Sequence, residues 1–241
     1  MGENGAGKTT LIKHFNGLLK PTIGTVTVDG VDTRSVSVAE LSRKVGLVFQ
    51  NPDNQLFCET VKDEIAYGLK NFGFDEHEIQ KRVKWALDFM NLSEYIDASP
   101  FVLSGGEKKR VAIASVLVWD PEILVFDEPT IGQDYTQKVK LQRFFSKLKD
   151  EGKTVIIVTH DVEFVAECSP RIVLMARGKV TADGSAKAIL TDYPTLIKAA
   201  ILPPQVTQVF MELKLPEIPN DIIDVSEAKD VLASILRRSI I

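Results

Sequence analysis

Leu103-Ser104-Gly105-Gly106-Glu107 and Ile123-Leu124-Val125-Phe126-Asp127-Glu128-Pro129 are the two stretches on which the reading of this chain turns. The second is wholly apolar from Ile123 to Phe126 and ends in paired carboxylates. A strand that is apolar at every position belongs in a sheet covered on both faces. In the first, Ser104 and Glu107 stand at the S-x-x-E spacing of a capping box, so the motif starts a helix well. A helix start with two glycines is also an anion site. A third stretch opens the chain. Gly2-Glu3-Asn4-Gly5-Ala6-Gly7-Lys8-Thr9 fits G-x-x-x-x-G-K-[ST], a phosphate-cradling loop. Its glycines let backbone N–H groups approach phosphates, Lys8 supplies a point charge and Thr9 a hydroxyl for a divalent cation.

Around these motifs the pattern alternates between strands and amphipathic helices. Thr9 to Leu19 reads as a helix, with Leu11, Ile12, Phe15 and Leu18/Leu19 near helical spacing. Thr25 to Gly30 alternates like a half-buried strand, and Lys44 to Phe49 is a strand closing on Gln50. Val61 to about Pro100 is helical and charged, with Val83, Ala86, Leu87 and Met90 on one apolar face. Ser104 to Trp119 and Gln137 to Lys149 are further helices, Thr154 to Thr159 a second buried strand, and Ile172 to Met175 a short one. Past Pro194 prolines break an apolar-rich tail, which ends in a helix from about Ser226 carrying Val231, Leu232, Ile235 and Leu236. The alternation predicts an α/β fold with a mainly parallel sheet flanked by helices.

The bulk numbers exclude other classes. The 241 residues are 44% hydrophobic and 26% charged, with a net charge of −4, so no basic field would draw nucleic acid. Cys58 and Cys168 form no C-x-x-C pair, which suits a reducing compartment. No apolar run approaches the roughly 18–20 residues that span a bilayer, so a membrane path would need another chain. The N-terminus carries no secretory signal pattern.

The phosphate loop, LSGGE and the carboxylate strand, in this order, resemble the nucleotide-binding subunit of an ABC transporter, over nearly the whole chain. The resemblance implies ATP and Mg²⁺ as cofactors. Gly2, Glu3, Asn4, Gly5, Ala6, Gly7, Lys8, Thr9 and Thr10 would hold the phosphates. Ser104, Gly105, Gly106 and Asp134 would reach the ATP of a second ATPase subunit. Thr9, Gln50 and Asp127 would serve the metal, while Glu128 polarises the attacking water and Gln50 and His160 sense it and the γ-phosphate. Two positions depart from the family pattern: Glu107 stands for the usual glutamine and Gln133 for the usual leucine. The implied organisation is an ATP-binding core over 1–55 and 106–192, a helical signature subdomain over 56–105 and a C-terminal extension over 193–241.

Three stretches narrow the resemblance to the ATPase of an energy-coupling factor importer of the cobalt/nickel and vitamin type. They are Val48 to Phe57, the LSGGEKKR run, and the tail with Pro203-Pro204-Gln205-Val206-Thr207 and Ser226-Glu227-Ala228. The expected partners are a transmembrane coupling subunit and a substrate-binding membrane protein, at the cytoplasmic face of the membrane. Asn54, Gln55, Leu56, Phe57 and Phe72 are candidates for the docking wall, with core packing the competing reading for the three apolar ones. A generic importer ATPase and a soluble ABC ATPase acting on DNA or ribosomes remain as alternatives; about fifty residues between Gln50 and Leu103 leave no room for the long coiled coils of the DNA-acting members. The family also places strands and an adenine-stacking aromatic before the phosphate loop. A strand there would bury three or four apolar side chains at roughly 1.5–3 kcal/mol each. The expectation is therefore that this chain is an N-terminally shortened form of a longer protein, poorly soluble and weak in ATP binding as it stands.

Overall fold

The computed structural model describes residues 1–213, 219 and 221–239. Two compact units are present, one of Thr9–Val158 and one of Met1–Lys8 with Thr159–Ile241.

In the Thr9–Val158 unit, α1 (Lys8–Phe15) leads to a hairpin of β1 (Thr27–Val28) and β2 (Val31–Asp32). Then follow α2 (Val38–Lys44) and β3 (Val45–Val48), the helical stretch of α3 (Val61–Asn71), α4 (Glu76–Phe89) and α5 (Gly105–Leu117), then β4 (Ile123–Asp127), α6 (Tyr135–Asp150) and β5 (Thr154–Val158). Strands β3, β4 and β5 form one parallel sheet with β4 in the middle, in register Val48 to Phe126 and Asp127 to Val158.

The unbroken apolar run of β4 has its cause here. Val125 packs on one face with Ile12, Val28, Leu41, Val45, Leu47 and Val158. Its neighbour Phe126 points the other way, with its ring 4.8 Å from Phe145 and 6.1 Å from Phe144 of α6. Period-two alternation therefore delivers an apolar side chain to each of two covered faces. Gly46 of β3 lets α5 close on the sheet, because a Cβ there would lie 2.5 Å from Cγ1 of Val116. Side chains of Thr60, Asp75, Ser104 and Asp134 accept from the first-turn N–H groups of α3, α4, α5 and α6. Each such cap is worth about 1 kcal/mol.

In the other unit, α7 (Val162–Cys168) precedes an antiparallel hairpin of β6 (Arg171–Ala176) and β7 (Lys179–Ser185). After it come α8 (Ala186–Leu190), α9 (Tyr193–Lys198), α10 (Gln205–Leu213) and α11 (Val225–Ser239). Ile172, Leu174, Leu190, Leu196, Ile201 and Ile223 share one buried cluster, and Phe210, Ile222 and Ala228 another. The first residues belong to this unit. Gly2 bridges Met175 in parallel, and the Met175 N–H donates to the Met1 carbonyl at 2.8 Å.

Two expectations, for α1 and for the strand over Thr25 to Gly30, differ from the structure. Helix α1 stops at Phe15 rather than Leu19, because Leu18 and Leu19 are exposed and give no buried face to extend it. The strand expected over Thr25 to Gly30 shrinks to the two residues of β1. Strand β7 and the helices α9 and α10 were hidden by polar alternation and by the prolines, which sit at helix starts rather than inside helices. In α11, Val231 and Ile235 pack on the Phe210 cluster of their own unit, Leu232 is 38% exposed, and the Leu236 side chain lies outside the described residues.

Because Phe126 is fully buried between α6 rings, Phe126→Ala is expected to cost about 3–5 kcal/mol of unfolding free energy. A urea midpoint shift corresponding to less than about 1 kcal/mol would mean that the site collapses around the deletion or that the ring cluster is loosely packed.

Candidate nucleotide-binding and hydrolysis site

In the unit of Met1–Lys8 and Thr159–Ile241 the phosphate loop is drawn tightly against β6. The loop can do this only because Gly2 has no side chain: a Cβ there would sit 2.2 Å from the Met175 carbonyl oxygen. Gly178, in the turn between β6 and β7, donates its N–H to the Ala6 carbonyl at 3.1 Å. Ala6 is buried, while Asn4 and Gly5 are exposed. The Lys8 ammonium folds onto its own loop, donating to the carbonyls of Gly2 at 2.9 Å and Glu3 at 3.0 Å. Anionic oxygens arriving at the loop would replace neutral carbonyl acceptors, the stronger kind of hydrogen bond for an ammonium. The loop runs directly into the N-terminus of α1, where unsatisfied N–H groups and the helix dipole favour an anion. His160, at the exit of β5, is exposed in this unit.

In the Thr9–Val158 unit the carboxylate pair sits at the end of β4. Asp127 is 2% and Glu128 5% exposed. Thr9 Oγ1 donates to Asp127 Oδ2 at 2.8 Å, which brings two of the residues expected to serve a metal into contact across 118 positions of sequence. Glu128 holds φ at 49°, in the left-handed region that costs a non-glycine residue free energy. Its N–H is pinned to the Val158 carbonyl at 2.8 Å, so the neighbouring strand holds the strained turn. A hydroxyl and a carboxylate fit Mg²⁺, which takes one or two protein oxygens and completes its shell with phosphate and water. Among the described residues no three His, Cys, Asp or Glu side chains gather as a metal cage.

Ser104 caps α5, and the exposed Gly105 and Gly106 form its first turn. Glu107 completes the box: its Oε2 accepts from the Ser104 N–H at 2.8 Å and from the Ser104 hydroxyl at 2.7 Å, and its Oε1 from the Tyr95 hydroxyl at 2.8 Å. These bonds, Ser104's first, hold the Glu107 carboxyl down at about 2. Asp134 caps α6 through Gln137 N–H at 2.8 Å, and Gln133 N–H donates to Thr130 O. Thr10 and Gln50 are exposed.

The residue that sequence reasoning passed over is Lys109. It is only 7% exposed, and its ammonium donates to the carbonyls of Phe49 at 3.2 Å and Gln50 at 3.1 Å. Burial pulls it down to about 8, against the pull of the Asp127 and Glu128 carboxylates in the other direction. The signal was present in the sequence: Lys109 precedes Ala112, Ile113 and Val116 by three, four and seven positions, which puts it on the buried face of α5. Gln55, a candidate for the docking wall, is partly exposed and also braces the interior. It accepts from Phe49 N–H and donates to Ala112 O and Ser115 Oγ. Leu56 is core, Phe72 is half-buried against Trp119, and Asn54 and Phe57 are exposed. Buried Glu64 accepts from the N–H groups of Phe57 and Cys58, both at 2.8 Å, and so fixes how Phe57 is presented.

A phosphate loop, a buried carboxylate pair in line with its threonine, and a glycine-led capped helix are the parts of a P-loop nucleotide-binding cassette. Residues 1–131 match the ABC transporter family, and the chain belongs to it. It is 41% identical over 246 residues to the energy-coupling factor transporter ATP-binding protein EcfA2 of Clostridium perfringens, covering 99% of this chain and 86% of that protein. Two solved structures are similar. One is cbiO1 from Clostridium perfringens, described as part of the ABC transporter complex cbiONQ, with a TM-score of 0.72 and 34% identity over 89% of this chain and 86% of that one. The other is a dimeric ATP-binding cassette in a post-hydrolysis state bound to ADP and Pi, with a TM-score of 0.70 and 31% identity over 77% and 83% of the two chains.

The depressed Glu107 predicts a pH effect of definite sign. A carboxyl at about 2 in the folded chain and near 4.5 when unfolded stabilises above about 4.5 and loses this as pH falls toward 2. The stability gap between wild type and Glu107→Gln in urea unfolding is therefore expected to be full at about pH 6 and to close below about pH 4.5. A gap independent of pH would show that the charge on Glu107 is not what the cap uses.

Proposed function

We propose that this chain is the ATP-hydrolysing subunit that powers import of a micronutrient, a metal ion or vitamin, through a separate membrane subunit of an energy-coupling factor transporter. The observation that carries the chemistry is the Thr9–Asp127 bond, with Glu128 next in line at the strand exit. The near full-length similarity to EcfA2 supports the transporter type. In this reading the chain works at the cytoplasmic face of a membrane, held there by its partners, which the same similarity supports; among the described residues no helix is long and apolar enough to cross one.

The chemistry follows from the placement of the groups. Lys8 and the N–H groups of Gly5 to Thr10 bind the β- and γ-phosphates of ATP. Thr9, Asp127 and Gln50 hold Mg²⁺. When bound, the ion neutralises charge on the β- and γ-oxygens. Glu128 accepts the proton of the attacking water as its oxygen bonds to the γ-phosphorus and the bond to ADP breaks. His160 contacts the γ-phosphate. Ser104, Gly105, Gly106 and Asp134 complete the site held by a second cassette, so two ATPase subunits are required. Phe57 is 58% exposed and braced edge-on by Tyr67 at 4.7 Å, which suits it to the transmembrane coupling subunit. A large apolar ring held out to solvent by a bonded loop is a common anchor for a partner.

Glu128→Gln is expected to bind ATP, accumulate as an ATP-dependent dimer and hydrolyse at least ~100-fold more slowly, as for loss of a general base. Lys8→Ala is expected to weaken ATP binding at least ~10-fold. Wild-type turnover in Glu128→Gln would remove the assigned base. Phe57→Asp is expected to abolish co-purification with the transmembrane subunit while leaving basal ATPase within ~2-fold. Undiminished co-purification would move the docking surface elsewhere, and failure of the wild-type chain to co-purify with any membrane subunit would favour a soluble ABC ATPase.

A further inference from the structure

Between β3 and the start of α3, the segment from Phe49 to Leu56 has few partners of its own. Among the described residues its internal bonds are short-range: Asn51 Oδ1 accepts from Asp53 N–H, and Pro52 O from the N–H groups of Gln55 and Leu56. Phe49 N–H also donates to Gln55 Oε1, Phe49 packs on the Val125 cluster and Leu56 is core, and the other polar contacts described for the segment come from α5. Lys108 pairs with Asp53 at 2.9 Å, in an exposed bridge of small worth. Gln55 reaches Ala112 and Ser115. At the start of the segment Gln55 holds the Phe49 N–H, and Lys109 grips the carbonyls of Phe49 and Gln50, those of the two peptides that flank the Gln50 Cα. Lys109 does so from a buried position, where a charge-assisted bond is least diluted by water.

That grip has a geometric consequence. Two carbonyls held by one ammonium orient the two peptides that flank the Gln50 Cα and with them the direction in which Gln50 leaves the end of β3. Strand β3 is paired to β4 up to Val48–Phe126, so Gln50 and the Asp127–Glu128 pair leave adjacent strands at the same edge of the sheet. The same ammonium feels both carboxylates. We propose that Lys109 is a positioning residue for ATP hydrolysis, which acts through Gln50 by holding the Phe49 and Gln50 carbonyls in register with the carboxylate pair. This rests on the reading of the chain as an ATPase with Gln50 at the metal and attacking water. It also makes α5, which begins at the signature serine, the element that sets where Gln50 points.

The test is a double-mutant cycle in the full chain with MgATP. Lys109→Met keeps the length and removes the donors. It is expected to lower kcat at least ~10-fold while KM for ATP changes less than ~3-fold, the pattern of a group needed only in the transition state. In a Gln50→Ala background the same change is expected to cost less than ~2-fold more, because its effect has already been removed. Lys109→Arg, which keeps donors and charge, should retain at least about a third of kcat, and Lys109→Gln, too short to span both carbonyls, replaces the Met variant if that chain does not fold. An equal loss of kcat in both backgrounds would overturn the proposal, as would wild-type kcat in Lys109→Met. Amide exchange across residues 49–56 gives an arm independent of activity: at least ~10-fold faster exchange is expected in Lys109→Met. Unchanged exchange overturns the tether. A wild-type chain that hydrolyses no ATP, with the exchange effect present, would overturn the ATPase reading and leave the tether standing.

Discussion

The buried carboxylates of the Thr9–Val158 unit depend on one strand that is covered on both faces. Strand β4 is covered by the Ile12–Val45–Val158 cluster on one side and by the α6 phenylalanines on the other. Burial on both faces fixes its direction and register between β3 and β5. Its exit then becomes a place where carboxylates are both dry and held in position. Asp127 and Glu128 occupy that exit.

Putting two carboxylates in such a place has to be compensated, since isolated charges in a low-dielectric interior are costly. The compensation comes from three directions. Thr9 donates to Asp127. The Glu128 backbone is tied to Val158, which holds a left-handed conformation that the residue would not adopt alone. Lys109 brings a buried positive charge whose own cost of burial is partly offset by the pair. On the proposed reading, a divalent cation and a phosphate chain would meet groups already held in position, and phosphoryl transfer is accelerated by position and charge rather than by covalent chemistry.

Parts of this arrangement could be read directly. The Ser104–Glu107 box forms as its spacing says, and Asp127 meets Thr9 as the order of motifs implies. Other parts could not. Phe57 and Leu56 are adjacent apolar residues, yet one is exposed and the other is core, because Glu64, seven positions on from Phe57, captures the loop N–H groups and fixes which side chain faces out. Gln55 had the composition of a surface residue and became an internal bracket. The helices after Pro194 were obscured because proline at the first helical turn and proline inside a helix look alike until neighbours are known.

What the chain determined by itself was local: apolar runs, caps and the glycine pattern of a phosphate loop depend on residues within a few positions of one another, so spacing alone specifies them. Tertiary structure decided which distant groups share a charge environment. Lys109, sixty residues from Phe49 and eighteen from Asp127, acquires its carbonyl partners and its carboxylate neighbours only when α5 packs beneath the ends of β3 and β4. Coulomb and hydrogen-bond energies depend on distance in space, and no periodicity in a sequence encodes that distance.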